Sequence, residues 1–492
     1  MSKYLYGAAV QGIQDFIFRT NKLQHIVGAS ELVEEICTHA FDEFAKNGED
    51  IVRAAGNIKF IFENEKECKK AVREFPRKVM TMAPGITISQ AVVPLDGDFN
   101  EGVDLLETRL KNQRNKPSKI VTSGLMGIKR SNTTGLPITS IEEKKEGERI
   151  TTAYYDDATK AKQSKASEKE HNLRGLCKKS FGDFQGKIAY NISDITGKND
   201  WIAIIHADGN GLGKVVQTVG KKKDVYKTFS KKLSEATIKA AHKAYKEVSW
   251  PFDARKAIPI RPVVLSGDDM TVIIRGDIAL DYANAFIKAF EKETQKALGD
   301  ILRSEHVFED DKDYLTACAG VAFIKSSFPF YYGYDLAEEL CGQAKKDTKA
   351  IFGENSKQLP PSCLMFHKVQ DSFIFDYRDI VQRELTCIDN LTFKAGPYYI
   401  EEQAGKHTYE ELIANCLLLD GENGDGVKSG IRNWIALRLE NKHTADRRKE
   451  RMMQIFADTT AVETLTEEVN GTCLAYDALA YHTIMNQQTN EL

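Results

Sequence analysis

Two adjacent carboxylates, Asp268 and Asp269, follow a glycine between two apolar runs. The flanking segments, Val263–Leu265 and Met270–Ile274, are short, uncharged and largely β-branched, which is typical of buried strands. We therefore predict that Ser266–Asp269 forms the tip of a tight hairpin. Carboxylates held together beside apolar strands repel each other and lose solvation, so a cationic side chain or a metal ion must offset that cost. The alternative is an ordinary solvated turn, because Asp and Gly are common turn residues.

A third carboxylate, Asp208, stands where the apolar run 201–207 ends, in the segment "ADGNGLGK". In a palm-type sheet this strand lies beside the hairpin, so Asp208 is expected to face Asp268 and Asp269. Three converging carboxylates form an oxygen-rich site that suits Mg²⁺ or Mn²⁺. Two such ions can clamp a triphosphate and an attacking hydroxyl group. A lone Asp at a strand end is often only a helix cap, so the prediction depends on the three acids together.

Glycines and lysines beside these acids are suited to binding phosphate. Glycine lets backbone amides approach phosphate oxygens closely, and lysine supplies positive charge. Because a G-x-G-x-G pattern is common, it has weight only in its order with the acids. The predicted nucleotide-binding residues of this region are Gly209, Asn210, Gly211, Gly213, Lys214, Ser266, Gly267 and Lys345.

The apolar patterns divide the chain into two similar halves. Each half has the order strand, helices, hairpin, helix, strand, which is the split βαβ pattern of ferredoxin-like and palm sheets. In the first half a helix is predicted to begin after "VGAS", with Ser30 as its N-cap. We predict an α+β fold with two ferredoxin-like palm domains packed together, plus a helical C-terminal domain. The predicted domains are a first palm at 1–95, a polar and helical linker region at 96–198, a second palm at 199–365 and the C-terminal domain at 366–492.

The first predicted palm has no acids at the matching places. Its hairpin reads "AAGN", with Asn57 where a carboxylate would stand, and its first strand ends in "VQGIQ". We therefore expect the second palm to be catalytic and the first to be non-catalytic. Gln11, Ser30 and Gly56 either serve as scaffold or line a shared pocket, and Ser30 and Gly56 are kept as predicted nucleotide-binding residues.

Composition limits the class of protein. The 492 residues carry a formal net charge of −3, so the whole molecule is not a general nucleic-acid binder. Nine scattered cysteines without a C-x-x-C pair argue against a zinc site or a disulfide framework, and they fit free thiols in a reducing cytosol. The N-terminus is too polar for a signal peptide, and no apolar run approaches the ~20 residues of a membrane span. A cytoplasmic protein without a membrane partner is expected.

Five motifs in order resemble the Cas-ten family, the large palm-domain subunits of type III CRISPR effector complexes. They are "GAAVQGIQDFIFRTNKLQHIVGAS", "ADGNGLGK", "LSGDD", "CAGVAFIKSSFPF" and "AEELCGQAKK". The resemblance covers about residues 4–350 and implies a nucleotidyl cyclase site in the second palm, which joins ATP into cyclic oligoadenylate. It implies that Asp208, Asp268 and Asp269 are metal ligands and that Lys345 contacts the triphosphate.

The sequence also departs from that family. Ser266 replaces the first glycine of the usual Gly-Gly-Asp-Asp hairpin, Asn210 replaces a second acid, and the zinc-binding cysteines are absent. The chain starts at the first palm, so a stand-alone relative without the HD nuclease domain, acting in antiviral defence, is expected.

Two functions are therefore predicted. The first is a metal-dependent nucleotidyl cyclase that makes a cyclic oligoadenylate or dinucleotide from ATP or other NTPs, with a downstream effector that binds the product. The alternative is a catalytically weak nucleotide- or RNA-binding scaffold subunit. An RNA or protein partner and a homo-oligomer are further expectations.

Overall fold

The structure is a computed structural model. It describes residues 3–54, 56–95, 97–116, 127–146, 149–167, 169–197, 200–248, 250, 256–309, 312–352, 358–370, 376–421 and 424–486. Within these ranges, no helix is both long enough and apolar enough to span a membrane.

The first palm is a four-stranded antiparallel sheet with the order β2-β3-β1-β4. Its side chains alternate: Tyr6 and Ala8 pack under the helices of this palm, whereas Leu5 faces the opposite side. The strand order is that of the predicted split βαβ unit. Its elements are β1 Lys3–Gln11, α1 Ile13–Phe18, α2 Leu23–Cys37, α3 His39–Asp42, β2 Gly48–Ala54, β3 Asn57–Phe62, α4 Glu65–Met82 and β4 Thr87–Leu95.

The predicted helix start at Ser30 is wrong. Helix α2 begins at Leu23, and Ser30 lies in its middle, so it is not an N-cap. Gly28, two residues before Ser30, packs closely against another helix. A Cβ atom on Gly28 would lie 2.0 Å from the backbone oxygen of Lys162, so only glycine allows this approach of two helices.

The predicted linker region is packed onto the palms. Its first helix covers the first-palm sheet, where a Cβ atom on Gly7 would lie 2.8 Å from Leu106. A later helix packs against α2 at Gly28. The elements of this region are α5 Phe99–Arg114, β5 Ser140–Glu146, β6 Arg149–Tyr155, α6 Asp157–Ser167, α7 Lys169–Phe181 and α8 Ile192–Ile195.

The second palm repeats the first and extends it. Its six-stranded sheet has the order β12-β11-β10-β7-β9-β8, so β8-β9-β7-β10 reproduces the four-strand unit of the first palm. β11 joins parallel to β10 through the crossover helix α12. The elements are β7 Trp201–Gly209, α9 Leu212–Val219, α10 Lys223–Glu247, β8 Ile260–Ser266, β9 Asp269–Arg275, α11 Ala279–Ser304, β10 Ala317–Lys325, α12 Phe330–Phe352 and β11 Cys363–Lys368.

Each palm contributes a helix to the other. Helix α2 packs against β8, and helix α10 packs against β2, so the two palms are related by an approximate twofold arrangement. The ring of Phe18 stacks on that of Tyr334 with 4.3 Å between centroids. Lys59 donates to the hydroxyl of Tyr226 at 3.0 Å. Because both faces of the second sheet are covered, its strands are largely apolar, with a few buried polar residues such as His206 and Arg261.

The C-terminal region is mainly helical, as predicted, and it is attached to the second sheet. The predicted boundary after residue 365 falls inside β11, and the short strand β12 pairs with β11 beyond it. The predicted helix pair in "SGIRNWIALRLENKHTADRRKERMMQIF" is confirmed. The elements are α13 Tyr377–Ile380, β12 Tyr398–Tyr399, α14 Tyr409–Leu417, α15 Gly424–Glu440, α16 Lys442–Ile455, α17 Thr460–Leu465 and α18 Ala475–Met485. The α+β fold with two palms and a helical C-terminal region is thus confirmed.

Candidate metal and nucleotide site

The β8–β9 hairpin brings two acids to one edge of the second palm. Ser266 pairs with Asp269, so the turn holds only Gly267 and Asp268. Gly267 has φ +65°, a left-handed conformation that glycine adopts without strain. The hydroxyl of Thr237 donates to the carbonyl oxygen of Gly267 at 2.6 Å. Helix α10 therefore fixes the hairpin tip.

Asp208 completes an acidic cluster with Asp268 and Asp269. Ala207 pairs with Met270 across β7 and β9, so the next residue of β7 comes beside the start of β9. One carboxylate oxygen from each of the three residues lies within 4.8 Å of the others. We call these three residues the acidic cluster. The predicted convergence of the three acids is therefore present.

The acidic cluster holds more negative charge than its protein surroundings neutralise. Burial and the nearby charge of Asp208 raise the pKa of Asp268 to about 7. Burial and the charges of Asp268 and Asp208 also raise the pKa of Asp269 well above its usual value. Burial alone would raise the pKa of Asp208, but the ammonium group of Lys345 lowers it overall. Without another cation, the cluster retains protons on its hairpin acids.

Lys345 is the cation nearest the acidic cluster. It lies on α12 and donates to Asp208 Oδ2 and, at 2.8 Å, to the carbonyl oxygen of Gly209. Burial would lower the pKa of Lys345, but the charge of Asp208 raises it overall. Both residues are predicted site residues, and the structure places them in contact. One ammonium group does not neutralise three ionised carboxylates, so the acidic cluster can bind a further cation.

The loop after β7 is tightly packed at Gly209 and open at Gly211 and Gly213. A Cβ atom on Gly209 would lie 2.7 Å from Asp268 Oδ2, so this glycine makes room for the cluster. A Cβ atom on Gly211 or Gly213 would meet nothing within 4 Å. Helix α9 begins at Leu212, and the amides of Lys214 and Val215 already donate to the carbonyl oxygen of Gly211 at 2.9 and 3.3 Å, so the amides of Leu212 and Gly213 are the ones left to face a ligand. This open, amide-rich end can accept phosphate oxygens.

Asn210 is buried beneath the loop. Its side chain is 1% exposed and donates to Thr316 Oγ1 at 3.1 Å, while its backbone amide donates to the carbonyl oxygen of Thr316 at 2.8 Å. These bonds attach the loop to the start of β10. The placement favours a positioning role for Asn210 over the predicted direct contact with nucleotide, because its side chain faces the interior.

The two site residues predicted in the first palm are also engaged structurally. Ser30 is buried and its hydroxyl donates to the carbonyl oxygen of Val263, so it joins α2 to the second palm. Gly56 has φ +76°, and a Cβ atom there would lie 2.4 Å from the side chain of Ile13. Neither belongs to the acidic cluster. Their structure corresponds to the scaffold alternative.

The other predicted residues surround the cluster. Ser266 ends β8 and is 7% exposed, and Lys214 is exposed in the first turn of α9. His206, two residues before Asp208, is buried and lies 3.2 Å from Thr271 Oγ1. Burial lowers its pKa to about 4, so it is neutral at neutral pH. His206 therefore packs inside the strand layer, as expected from its position.

The sequence analysis did not single out three residues near the acidic cluster. Thr237 fixes the hairpin, and Glu338 and Tyr334 share the face of α12 that carries Lys345. Burial, Asp335 and Asp208 raise the pKa of Glu338. The spacing of 334, 338 and 345 on one helix could have identified this face. Nothing in the sequence singles out Thr237.

Comparison with known proteins agrees with this architecture. Residues 201–352 match the family model described as Cas10/Cmr2, second palm domain. No curated protein sequence matches the chain.

Solved structures share the fold over nearly the whole chain. The crystal structure of the Csm1-Csm4 cassette in complex with cA4 has a TM-score of 0.57 at 15% identity, covering 99% of this chain and 70% of that chain. The cassette in complex with pppApA has a TM-score of 0.59 at 15% identity, with coverage of 98% and 69%. The complex with AMPPNP has a TM-score of 0.57 at 15% identity, also with coverage of 98% and 69%.

At this identity the structural likeness establishes a common fold. The family match covers the segment that carries all three acids and Lys345. The predicted resemblance to the Cas-ten family is therefore confirmed: residues 201–352 match the second palm domain of Cas10/Cmr2, and the chain shares its fold with the Csm1-Csm4 structures.

Proposed function

We propose that this protein is a metal-dependent nucleotidyl cyclase that converts ATP or other NTPs into a cyclic oligonucleotide. The observation that carries the proposal is the acidic cluster, three carboxylates with mutually close oxygens, one of which accepts a hydrogen bond from the ammonium group of Lys345. A solvated turn would not hold two carboxyls whose pKa values are raised by burial and repulsion. Such an arrangement is suited to a cation that is bound together with substrate.

The donor set fits a hard divalent cation. Carboxylate oxygens are the ligands that Mg²⁺ and Mn²⁺ prefer. Asp208, Asp268 and Asp269 would hold the cation, which would replace the protons that the two hairpin acids otherwise retain. When bound, such an ion polarises phosphoryl oxygens and stabilises the charge of the leaving pyrophosphate.

The chain's own residues would position the triphosphate. The open loop at Gly211 and Gly213 and the first turn of α9 offer backbone amides to phosphate oxygens. Lys345, already held beside Asp208, would share its charge with the phosphates. Thr237 keeps the hairpin at a fixed distance from α10. The neutral, buried His206 is not required as a base.

In the proposed reaction a 3′-hydroxyl oxygen attacks the α-phosphorus of a bound NTP. The new bond joins that oxygen to the α-phosphorus. The bond between the α-phosphorus and the oxygen that bridges the α- and β-phosphates breaks, and pyrophosphate leaves. The hydroxyl proton passes to solvent. Repetition of the step and a final intramolecular closure give a ring.

The similar structures support adenine nucleotides as substrate. The Csm1-Csm4 cassettes are described with cA4, cA3, pppApA and AMPPNP. By analogy we propose ATP as substrate, cyclic oligoadenylate as product, and a protein partner that docks as Csm4 does on Csm1. A cytoplasmic role in antiviral defence, through an effector that binds the product, is proposed with it.

The test is incubation of the purified protein with each labelled NTP and Mg²⁺ or Mn²⁺, followed by chromatography and mass spectrometry. The expected result is a cyclic product and release of pyrophosphate that both require the divalent ion. Candidate RNA activators belong in parallel reactions. Binding of ATP without pyrophosphate release in any reaction would contradict the cyclase and favour the scaffold alternative. That alternative also predicts tight RNA binding that weakens strongly with salt.

A further inference from the structure

A cavity in the first palm lies apart from the acidic cluster. Its volume is about 140 Å³, well above the roughly 10–15 Å³ that one water molecule needs. It lies between α1, the start of β4, the loop before β5, and α6. Its lining includes Gln11, Asp15, Arg19, Thr87, Thr134 and Lys162.

Lys162 is the unusual residue of this cavity. It is only 3% exposed, yet among the residues that the structure describes it forms no ion pair. Its ammonium group donates to the backbone oxygen of Phe16 and lies 4.2 Å from the centroid of the Phe16 ring. An ammonium group has three donors, so one carbonyl leaves it short of acceptors. Buried charges are normally paired, because an uncompensated one is costly.

The acid behind Lys162 is engaged elsewhere. Asp156 is fully buried, and it accepts hydrogen bonds from Thr159 N at 2.9 Å, Thr159 Oγ1 at 2.8 Å and Thr134 Oγ1 at 2.9 Å. These bonds lower its pKa in spite of its burial. Asp156 thus stabilises the first turn of α6 through Thr159 and forms no direct ion pair with Lys162 among the described residues.

A second cation lines the same cavity. Arg19 is exposed and lines the cavity. Burial lowers the pKa of Lys162 to about 8, the charge of Asp156 opposes this shift, and the charge of Arg19 adds to it. Asp15, also exposed, is the one carboxylate among the lining residues. The cavity therefore has two positive charges in its lining, Lys162 and Arg19, and among the described residues Lys162 has no ion pair. An anion between them would relieve both the repulsion and the shortage of acceptors.

We propose that this cavity binds a phosphate-class oxyanion between the ammonium group of Lys162 and the guanidinium group of Arg19. A guanidinium group binds two phosphate oxygens in a planar fork, and lysine adds a point charge at the closed end. Helix α6 is held in place by its close contact with Gly28, so Lys162 is positioned before the ligand arrives. The site lies in the first palm and does not depend on the proposed cyclase chemistry.

The test is calorimetric titration of the metal-free protein with inorganic pyrophosphate in chloride buffer. Without a divalent cation the acidic cluster repels anions, so the second palm competes weakly. Wild type should bind, and Lys162→Met or Arg19→Gln should weaken binding by about 10- to 100-fold, the effect of losing a hydrogen bond to a charged group. Lys160→Met, an exposed lysine on the same helix, should bind as wild type does.

Parallel titrations separate the sources of the anion. Tighter binding of phosphate or pyrophosphate than of ATP identifies a free anion, whereas tighter binding of ATP identifies the tail of a nucleotide. No binding by wild type at millimolar pyrophosphate would overturn the proposal, as would equal weakening by Lys160→Met and Arg19→Gln. Arg19 is exposed, so its variant decides the matter if Lys162→Met does not fold.

Discussion

The two palms share one strand order and differ at the same two points. In the second palm Asp208 is the penultimate residue of the central strand β7, and the hairpin tip carries Asp268 and Asp269. In the first palm the central strand ends at Gln11, and the hairpin carries Gly56 and Asn57.

The chemistry around the two sites differs accordingly. Lys345 donates to a carboxylate of the acidic cluster in the second palm, whereas Lys59 in the first palm pairs with Glu107 and Tyr226 to join the domains. The comparison indicates that a palm sheet alone does not create an acidic cluster. The proposed metal site depends on the acids at the hairpin tip.

The largest expected effect comes from removing those acids. Asp268→Asn/Asp269→Asn keeps the shape of the turn but removes the charge that would hold a cation, so turnover should fall by more than about 100-fold. The protein should remain folded, because two repelling carboxyls are gone. Product formation and melting temperature are the measurements.

The matched control is Asp104→Asn, on the exposed face of α5, which covers the first-palm sheet. It should leave turnover unchanged. Full activity in the double variant would show that the two acids are ordinary turn residues.

The next effect concerns the lysine that distinguishes the sites. Lys345→Met should lower kcat/KM by about 10- to 100-fold, the effect of losing a hydrogen bond between charged groups. The neighbouring exposed Lys346→Met is the control and should retain normal kinetics. Equal behaviour of the two variants in steady-state assays would exclude a phosphate contact for Lys345.

The raised pKa values of Asp268 and Asp269 should make both stability and metal binding depend on pH. Their pKa values are raised in the folded protein, so between about pH 4 and about pH 7 the native state binds more protons than the unfolded state. Stability of the metal-free protein should therefore fall as pH rises through that window, whereas Mn²⁺ affinity should rise by about tenfold per pH unit for each proton released. Titrations at several pH values measure this.

The same titrations on Asp268→Asn/Asp269→Asn provide the control. The variant has lost both raised carboxyls of the cluster, so its stability should fall less steeply with pH than that of wild type, while other raised carboxyls such as Asp477 keep their contribution. A wild-type Mn²⁺ affinity that stays constant from pH 5 to pH 8 would contradict the account of the cluster.

The smallest expected effect tests the support of the hairpin. Thr237→Val removes the bond to Gly267, which should cost about 1 kcal/mol of unfolding free energy and reduce turnover by a few-fold. Thr483→Val is the control, since among the described residues Thr483 makes the local helical bond to Leu479, the same kind of bond that Thr237 makes to Leu233. Denaturant unfolding and turnover are compared. Loss of stability without any change in turnover would leave Thr237 a purely structural residue.

Much of the second palm could be predicted because its pattern is local. Apolar strands broken by Asp208 and by Ser266–Asp269 indicate both the sheet and the convergence of the acids, since strand order follows from the split βαβ unit. The order of short motifs then identified the family. These features depend on residues that are close in sequence.

The errors arose where tertiary contacts decided the outcome. The helix start predicted at Ser30 is wrong: Gly28 and Ser30 lie in mid-helix, where the backbone of Lys162 approaches Gly28 from a distant segment. Ser30 and Asn210 also bond to Val263 and Thr316, and their contact with nucleotide stays a prediction. Such partners are far apart in sequence and leave no periodic signal.

The most direct test is to locate the cation. Crystals grown with Mn²⁺ and a non-hydrolysable ATP analogue allow an anomalous difference map that shows the ion itself. The account predicts strong density between the carboxylates of Asp208, Asp268 and Asp269, next to the triphosphate, and none at Asn57 in the first palm. Triphosphate bound elsewhere, or Mn²⁺ absent from the acidic cluster while nucleotide is present, would contradict the account.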